Sequence, residues 1–263
     1  MTAALAATGI RWQAGIQAIL DGVALDVEAG RLCGLLGPNG CGKTTLLRCL
    51  AAVLQPAAGS IAVGGDPVSG LSPRERGRRI ALLTQEQPAE LELTALDVVL
   101  IGRAPHKRRL EPDTQHDRAV ARAALEATDA WHLADRLVST LSGGERQRVQ
   151  IARVQAQQTP FVLLDEPTNH LDLRHQHELL HRLRASSATV VVSLHDPQLA
   201  ADYCDHIVVL DAGRAVAAGT PYETITADVL REVWRVDAVV GQGPHGRPHI
   251  HIQPLGGPEC PQS

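Results

Sequence analysis

Apolar and polar positions follow two different periods along this chain, and together they predict a mixed α/β fold. Continuous apolar runs at residues 32–36, 80–84, 161–164 and 188–194 predict buried strands, whereas residues 44–54 have the spacing of a helix. Residues 8–12 and 23–28 predict half-buried antiparallel strands, with Val23, Leu25 and Val27 on one face of the second. We therefore expect a strand-and-helix core preceded by an antiparallel β flap.

From residue 88 to residue 158 the pattern is helical. Helices are predicted at 94–102, 112–128 and 143–157, with a short piece around Trp131. Because no strand signal interrupts this stretch, we expect a helical lobe inserted into a core of residues 1–87 and 159–240.

The C-terminal segment has a different composition from the rest of the chain. Ten of the 23 residues from 241 to 263 are Gly or Pro, which predicts a flexible tail that contains at most one short strand, at 248–252. Upstream of it, residues 206–210 and 214–219 flank Asp211-Ala212-Gly213, which predicts a β-hairpin.

A phosphate-binding motif lies between the first buried strand and the helix that follows it. The pattern G-x-x-x-x-G-K-[ST] is met by Gly37, Pro38, Asn39, Gly40, Cys41, Gly42, Lys43, Thr44 and Thr45. Glycines let backbone N–H groups approach phosphate oxygens, and the helix N-terminus adds partial positive charge. Lys43 is placed to reach the β- and γ-phosphates, and the Thr44 hydroxyl is a ligand for Mg²⁺. The motif predicts a nucleoside triphosphate site.

A second glycine-rich helix start lies inside the predicted lobe. Ser142, Gly143 and Gly144 open a helix and present N–H groups and a positive dipole end to an anion, but no lysine accompanies them. An ordinary serine N-cap followed by a glycine turn is the alternative interpretation.

Polar residues follow three of the predicted strands. Asp165 and Glu166 end an apolar run. Asp165 is the candidate partner of Mg²⁺, through a water, and Glu166 is the candidate general base for an attacking water. His195 lies at the same edge of the sheet, where ligands bind in parallel α/β sheets. Gln85 can reach the metal or the water, although a glutamine at a strand end is more often an ordinary loop residue.

Composition narrows the class of protein. The net charge is −4 over 263 residues, which gives no reason to expect a nucleic-acid surface. Five cysteines without a CxxC pair argue against a disulfide framework or a zinc site. No apolar run approaches the ~18 residues that a membrane-spanning helix needs, so we expect membrane association only through a partner.

Two groups of histidines invite a metal-site interpretation. His177, Glu178 and His181 match H-E-x-x-H, the helical zinc-protease motif. A helical wheel places Glu178 and His181 towards the face opposite the leucine stripe, so we interpret the match as chance and keep a zinc peptidase as the remote alternative. The tail histidines at 245, 249 and 251 also allow a metal site, with a polar tail as the other interpretation.

Taken together, these residues resemble the ATP-binding subunit of ABC transporters over nearly the whole chain. The resemblance rests on the phosphate loop at 37–45, Gln85, the signature at 141–145, the acidic strand end Asp165-Glu166, the segment 169–172 and His195, in the family's order. It implies a P-loop NTPase fold with a RecA-like core that binds ATP and Mg²⁺ and hydrolyses the ATP. The resemblance also implies that the chain contains a single nucleotide-binding domain, residues 1–240.

The resemblance also implies partners and residue roles. Two copies would pair head to tail, so that ATP on the phosphate loop of one copy meets Ser142, Gly143 and Gly144 of the other. Trp12, which by itself is equally compatible with ordinary packing, would stack on adenine. Gln85 would couple the metal and water to transmembrane permease subunits, Asp172 would lie in the loop facing the second copy, and His195 would contact the γ-phosphate.

A narrower resemblance concerns the transported molecule. Residues 96–106 and 219–240 are similar to subunits that serve importers of iron-siderophores, haem or cobalamin. This likeness implies a peripheral protein on the cytoplasmic side of the membrane and, indirectly, a substrate-binding protein. The alternatives are the ATPase subunit of another ABC transporter class, a soluble ABC ATPase, and a nucleotide-binding regulator.

Cys41 permits a separate hypothesis. A thiol at a helix N-terminus has a lowered pKa and reacts readily. We therefore expect thiol alkylation to inhibit ATP hydrolysis.

Overall fold

The computed structural model describes residues 4–84, 92–108 and 111–253. The strands are β1 (Leu5–Ala14), β2 (Gln17–Val27), β3 (Leu32–Leu36), β4 (Ala58–Val63), β5 (Asp66–Pro67), β6 (Ile80–Leu83), β7 (Phe161–Leu164), β8 (Thr189–Ser193), β9 (His206–Asp211), β10 (Arg214–Gly219), β11 (Ala238–Gln242) and β12 (Pro248–Ile252). The helices are α1 (Lys43–Leu50), α2 (Pro73–Arg79), α3 (Ala95–Ile101), α4 (Gln115–Ala127), α5 (Gly143–Ala156), α6 (Leu173–Ala185), α7 (Pro197–Tyr203), α8 (Pro221–Thr224) and α9 (Ala227–Trp234).

The main sheet has six strands in the order β10-β9-β3-β8-β7-β6. The strands from β9 to β6 are parallel neighbours, and β10 pairs antiparallel with β9 at the edge. Because parallel strands end on the same side, the residues after β3, β7 and β8 meet at one edge of the sheet. The predicted α/β core and the β9–β10 hairpin are confirmed.

The predicted flap is a four-stranded antiparallel sheet in the order β2-β1-β4-β5. Val23, Leu25 and Val27 are buried while Asp26 is exposed, as their alternation predicts. The buried face packs on α1 and on one side of the main sheet in a single hydrophobic cluster. The flap therefore lies beside the phosphate loop that precedes α1.

The inserted lobe has a hydrophobic cluster of its own, formed by α3, α4 and α5. α5 also joins the lobe to the main sheet, because Val149 and Ala152 belong to the lobe cluster whereas Ile151 and Val154 belong to the sheet cluster. Within the described ranges, no helix is both long and apolar enough to cross a bilayer.

A buried ion pair fixes the carboxyl end of α5. Arg103 donates from Nε to Asp117 Oδ1 at 3.1 Å and from Nη1 to the carbonyl of Ala156 at 2.8 Å. Asp117 also closes a capping box with Thr114, so α4 begins at Gln115 and not at the predicted residue 112.

The C-terminal segment differs from the flexible tail that its composition predicts. β11 crosses residue 240, the expected boundary, and pairs antiparallel with β12, so only the strand predicted at 248–252 is confirmed. Gly243, Pro244 and Gly246 lie in the connecting turn, where the N–H of Gly243 donates to the carbonyl of Arg247 at 2.8 Å. Ile250 packs against the sheet cluster, so the hairpin contacts the core through β12.

Candidate active site

A cavity of about 670 Å³ opens at the carboxyl edge of the main sheet, beneath the flap. Its lining comes from the flap, the phosphate loop and the loops after β7 and β8. The lining residues are Trp12, Ala14, Ile19, Asn39, Gly40, Gly42, Lys43, Thr44, Thr45, Glu166, Asn169 and His195. The structure thus brings together residues that lie far apart in the sequence.

The phosphate loop leaves the N-terminus of α1 available. Gly42 is the N-cap in the left-handed region, at φ 108°, and no side chain of the described residues caps the helix. The first N–H groups of a helix lack intrahelical partners, so here they are directed to a ligand. At Gly37, φ is 140° and an added Cβ would lie 2.0 Å from the carbonyl oxygen of Leu210, so only glycine fits.

Lys43 is the buried cation of this loop, with 5% of its surface exposed. Its Nζ donates to the carbonyl oxygens of Gly37 at 2.7 Å and Pro38 at 3.2 Å. These carbonyls hold the ammonium over the loop, inside the cavity.

Cys41 lies on the other side of the loop and corrects the prediction of a reactive thiol. It is 4% exposed, belongs to the hydrophobic cluster beneath the flap and is not part of the cavity lining. Burial raises the pKa of the thiol, and the opposing effect of Lys43 is smaller. The prediction was wrong because the N-terminal position lowers a thiol pKa only if the thiolate stays solvated.

Asp165 lies behind the cavity and is 2% exposed. Its Oδ1 accepts a hydrogen bond from Ser193 Oγ at 2.8 Å, whereas its Oδ2 is buried and has no hydrogen-bond partner among the described residues. A buried carboxylate oxygen without a partner is costly unless a cation or a bound water completes it. The residues present therefore fit Mg²⁺, which is held by one or two carboxylates together with waters and phosphates.

Glu166 projects into the cavity from a backbone conformation at φ 49°. Its Oε1 lies 2.6 Å from His195 Nε2, and its Oε2 accepts a hydrogen bond from Asn169 Nδ2 at 2.8 Å. The Glu166 side chain is 11% exposed and that of His195 is 40% exposed. The carboxylate is thus held between two side chains that also line the cavity.

The second glycine-rich helix start is not part of the lining that the described residues give this cavity. Ser142 is the N-cap of α5 in a capping box with Glu145, and Gly143 and Gly144 lie against His170. Asp172 is the N-cap of α6 and accepts a hydrogen bond from the N–H of His175 at 2.9 Å. Within one chain these predicted ligands are separate from the phosphate loop, and Gln85 lies outside the described residues.

Two residues of the site were given no role from the sequence. Asn169 lines the cavity, and Ser193 links Asp165 to the N–H of Glu166, which donates to Ser193 Oγ at 2.8 Å. The available signal was a hydroxyl near the carboxyl end of the mainly apolar run 188–194. Its two partners directly follow β7, a neighbouring strand that the sequence does not place next to β8.

The H-E-x-x-H residues on α6 have other partners. His177 Nδ1 lies 2.7 Å from the hydroxyl of Tyr203, and Glu178 accepts a hydrogen bond from Arg174 at 2.8 Å. Across the described part of the chain, no group of three or more His, Cys, Asp or Glu side chains is arranged to hold a metal ion.

A strand, a glycine loop with a buried lysine, and an acidic strand end at the same edge of a parallel sheet define a P-loop nucleoside triphosphatase. The family described as ABC transporter matches residues 20–169. The chain belongs to the ABC transporter family and is an ATP-binding subunit of the kind that hydrolyses ATP, which confirms the family and the activity predicted from the sequence.

Relatives of known role cover most of the chain. It is 48% identical to the hemin import ATP-binding protein HmuV of Nocardia farcinica, over 82% of this chain and 76% of that protein. It is 41% identical to HmuV of Pseudomonas entomophila, over 92% and 97%. It is 36% identical to the ferric enterobactin transport ATP-binding protein FepC of Escherichia coli, over 88% and 86%.

Solved structures agree with the fold. A metal-chelate type ABC transporter in an inward-facing conformation matches with a TM-score of 0.81 and 28% identity, over 96% of this chain and 98% of that one. The dimeric structure of a bacterial ABC transporter cassette matches with a TM-score of 0.72 and 26% identity, over 82% and 98%. The antiparallel flap and the helical insert are therefore features of the family fold.

Proposed function

We propose that this chain energises a membrane importer for haem or a related metal chelate, an iron-siderophore or cobalamin. The proposal is supported by the relatives that serve hemin and ferric enterobactin transport and by the metal-chelate transporter among the solved structures. In such a complex the chain binds permease subunits at the cytoplasmic face of the membrane, and a substrate-binding protein delivers the cargo to them.

The catalytic part of the proposal rests on two neighbouring carboxylates. The buried Oδ2 of Asp165 has no hydrogen-bond partner among the described residues, and the next residue, Glu166, lines one cavity with the phosphate loop. Lys43 and the N–H groups of α1 bind the β- and γ-phosphates. Thr44 and Asp165 would hold Mg²⁺, Asp165 through a water, and the ion would supply positive charge against the phosphates. Gln85 is the third proposed metal-site residue.

Glu166 is the proposed general base. Its carboxylate faces the cavity, accepts from Asn169 and lies beside His195, so it can take a proton from a water positioned at the γ-phosphate. His195, which lines the same cavity, is the proposed contact to the γ-phosphate. Trp12 lines the cavity from the flap and offers a flat surface for adenine.

The second helix start completes the site only from another copy of the chain. Ser142, Gly143, Gly144 and Asp172 do not line their own chain's cavity, and a related cassette is a dimer. We therefore place ATP between the phosphate loop of one copy and Ser142, Gly143 and Gly144 of the other, with Asp172 in the loop between the copies.

The Glu166→Gln variant tests the catalytic assignment. An amide cannot take the proton, so we expect ATP binding to remain while turnover falls at least about 100-fold and an ATP-bound dimer accumulates in size-exclusion chromatography. Glu178→Gln is the matched control, because Glu178 is a glutamate on the surface of α6, and we expect it to hydrolyse ATP normally. Hydrolysis by Glu166→Gln at the rate of this control would remove Glu166 as the base.

The cargo is tested on the intact complex. We expect the chain to co-purify with a polytopic membrane partner, and the ATPase rate to rise when a binding protein loaded with hemin is added. Stimulation by a siderophore or cobalamin instead would reassign the cargo within the chelate group. Isolation of the chain without any membrane partner would contradict the transporter assignment.

A further inference from the structure

We propose that Ser193 is a positioning residue. It fixes the orientation of Asp165, the proposed Mg²⁺ carboxylate, relative to Glu166, the proposed general base. Its Oγ donates to Asp165 Oδ1 at 2.8 Å and accepts from the N–H of Glu166 at 2.8 Å. One hydroxyl thus joins two consecutive residues of the site that have different tasks. The inference rests on the proposed function, since it assumes those tasks for Asp165 and Glu166.

The position of Ser193 in the sheet explains why it can do this. β8 lies directly between β3, which leads into the phosphate loop, and β7, which leads into Asp165. Ser193 is the last residue of β8 and is 0% exposed, so no solvent water competes for its hydroxyl. Within the described residues, the polar partners of this hydroxyl are both at the acidic strand end.

The hydroxyl fixes the two groups in different ways. Because Oδ1 of Asp165 is occupied by Ser193, the carboxylate presents Oδ2, the oxygen without a partner, to a cation or its water. At Glu166 the left-handed backbone conformation, φ 49°, is disfavoured for a residue with a side chain and persists only where its surroundings hold it. The bond from its N–H to Ser193 Oγ is one such restraint, and this conformation directs the carboxylate to Asn169 and His195.

The Ser193→Ala variant separates positioning from general stability. Partners that orient metal-binding carboxylates typically cost about 10–100-fold in metal affinity or activity when they are removed. We expect the affinity for a fluorescent ATP analogue in EDTA to stay within about twofold of wild type, because Lys43 and the N–H groups of α1 are unchanged. The Mg²⁺ gain, which is the factor by which Mg²⁺ raises the affinity for the analogue, should be about tenfold smaller than in wild type. The kcat should fall about 10–100-fold.

The matched control is Thr189→Val, which removes another buried hydroxyl from the opposite end of the same strand. Thr189 is 4% exposed and its Oγ1 accepts from the N–H of Gly30 at 3.1 Å, far from the carboxyl edge. We expect its thermal stability to fall as for Ser193→Ala while its Mg²⁺ gain and kcat remain those of wild type. Ser193→Cys, close to serine in size, is measured as well in case the alanine variant does not fold, and its kcat should be at least about fivefold below wild type.

The outcomes distinguish this inference from the function on which it rests. If Ser193→Ala, or the cysteine variant where alanine does not fold, shows wild-type kcat and Mg²⁺ gain while Glu166→Gln is inactive, Ser193 is only structural and the proposed function stands. If Glu166→Gln itself hydrolyses ATP normally, the proposed base is wrong and the role of Ser193 falls with it. An equal loss of kcat in Thr189→Val would also overturn the positioning role.

Discussion

The molecule has two glycine-rich helix starts, at α1 and α5, and they differ in how their N–H groups are satisfied. At α1 no described side chain caps the helix and no acidic residue lies in the first turn. The first residue of the helix is the buried Lys43. Phosphate is the partner that completes such an end, because it satisfies the N–H groups and the lysine together. This half of the site can bind a nucleotide without help.

The start of α5 is partly satisfied by its own residues. Ser142 Oγ accepts from the N–H of Glu145, and the Glu145 carboxylate accepts from the N–H of Ser142 at 2.8 Å. That backbone hydrogen bond lowers the pKa of Glu145, so the group is charged at neutral pH and opposes a second anion. A glycine-rich helix start therefore binds phosphate by itself only where the chain leaves it uncapped.

Lys43→Ala should give the largest effect on binding, because it removes the cation from the uncapped half. We expect at least about a 100-fold loss of ATP affinity and no measurable hydrolysis, since the proposed contact of this lysine with the phosphates is made in both ground and transition states. Isothermal titration calorimetry measures the ATP affinity. Lys107→Ala, which changes the only other lysine in the chain, should bind ATP as wild type does. Comparable affinities for the two variants would contradict the assignment of Lys43.

Ser142→Arg should leave binding and remove turnover. Its own phosphate loop is unchanged, so ATP affinity should stay within about threefold of wild type. The arginine would block the helix start that contacts ATP on the other copy, so hydrolysis should fall about 100-fold. A mixture of Ser142→Arg with Lys43→Ala sharpens the test. In a head-to-tail pair of these two chains one site carries both defects and the other carries neither, so mixing should restore ATPase activity. If each chain used its own Ser142, mixing would restore nothing.

Sequence reasoning was sufficient where a function depends on a local pattern. Alternation of side chains placed Val23, Leu25 and Val27 on the buried face of the flap, and the motif located the loop between β3 and α1. The strand ends at Asp165 and His195 could be assigned to one edge because parallel strands end together.

Sequence reasoning failed where a residue's environment depends on distant packing. Cys41 has the local position of a reactive thiol, but the flap covers it, and nothing in the loop itself encodes the flap. The same holds for Ser193, whose partners follow a neighbouring strand, and for the terminal hairpin, whose strand β11 begins before the glycine-rich segment. Composition describes a segment's average tendency, whereas pairing depends on which strand lies beside it.

Asp117→Asn tests how α5 is held at its other end, where Arg103 joins Asp117 to the carbonyl of Ala156. Both side chains are almost fully buried, so loss of the carboxylate leaves an uncompensated guanidinium and should lower the free energy of unfolding by about 3 kcal/mol at neutral pH. Urea denaturation measures this change. Glu126→Gln, on the exposed pair with Arg122 in the same helix, should change it by less than about 1 kcal/mol.

The same variant has a defined pH dependence. The hydrogen bond from the Thr114 side chain, followed by Arg103, lowers the pKa of Asp117 to about 2. A carboxylate with a lowered folded-state pKa stabilises the protein above its unfolded-state pKa and loses that contribution as pH falls through the folded value. The stability gap between wild type and Asp117→Asn should therefore be full above about pH 4 and close towards about pH 2. A gap that did not change over this range would contradict the role of the charge.

Cys41 gives the smallest expected effect and separates the two sides of the phosphate loop. Lys43 faces the cavity, whereas the Cys41 thiol faces the hydrophobic cluster, where burial raises its pKa. Cys41→Ser should keep ATP hydrolysis within about twofold, and N-ethylmaleimide should inhibit the wild type slowly at neutral pH, because little thiolate forms and the flap blocks access. The inhibition rate should rise with pH and with low concentrations of urea, which open the flap. Rapid inhibition at neutral pH that ATP prevents and Cys41→Ser abolishes would show instead that the thiol faces the nucleotide.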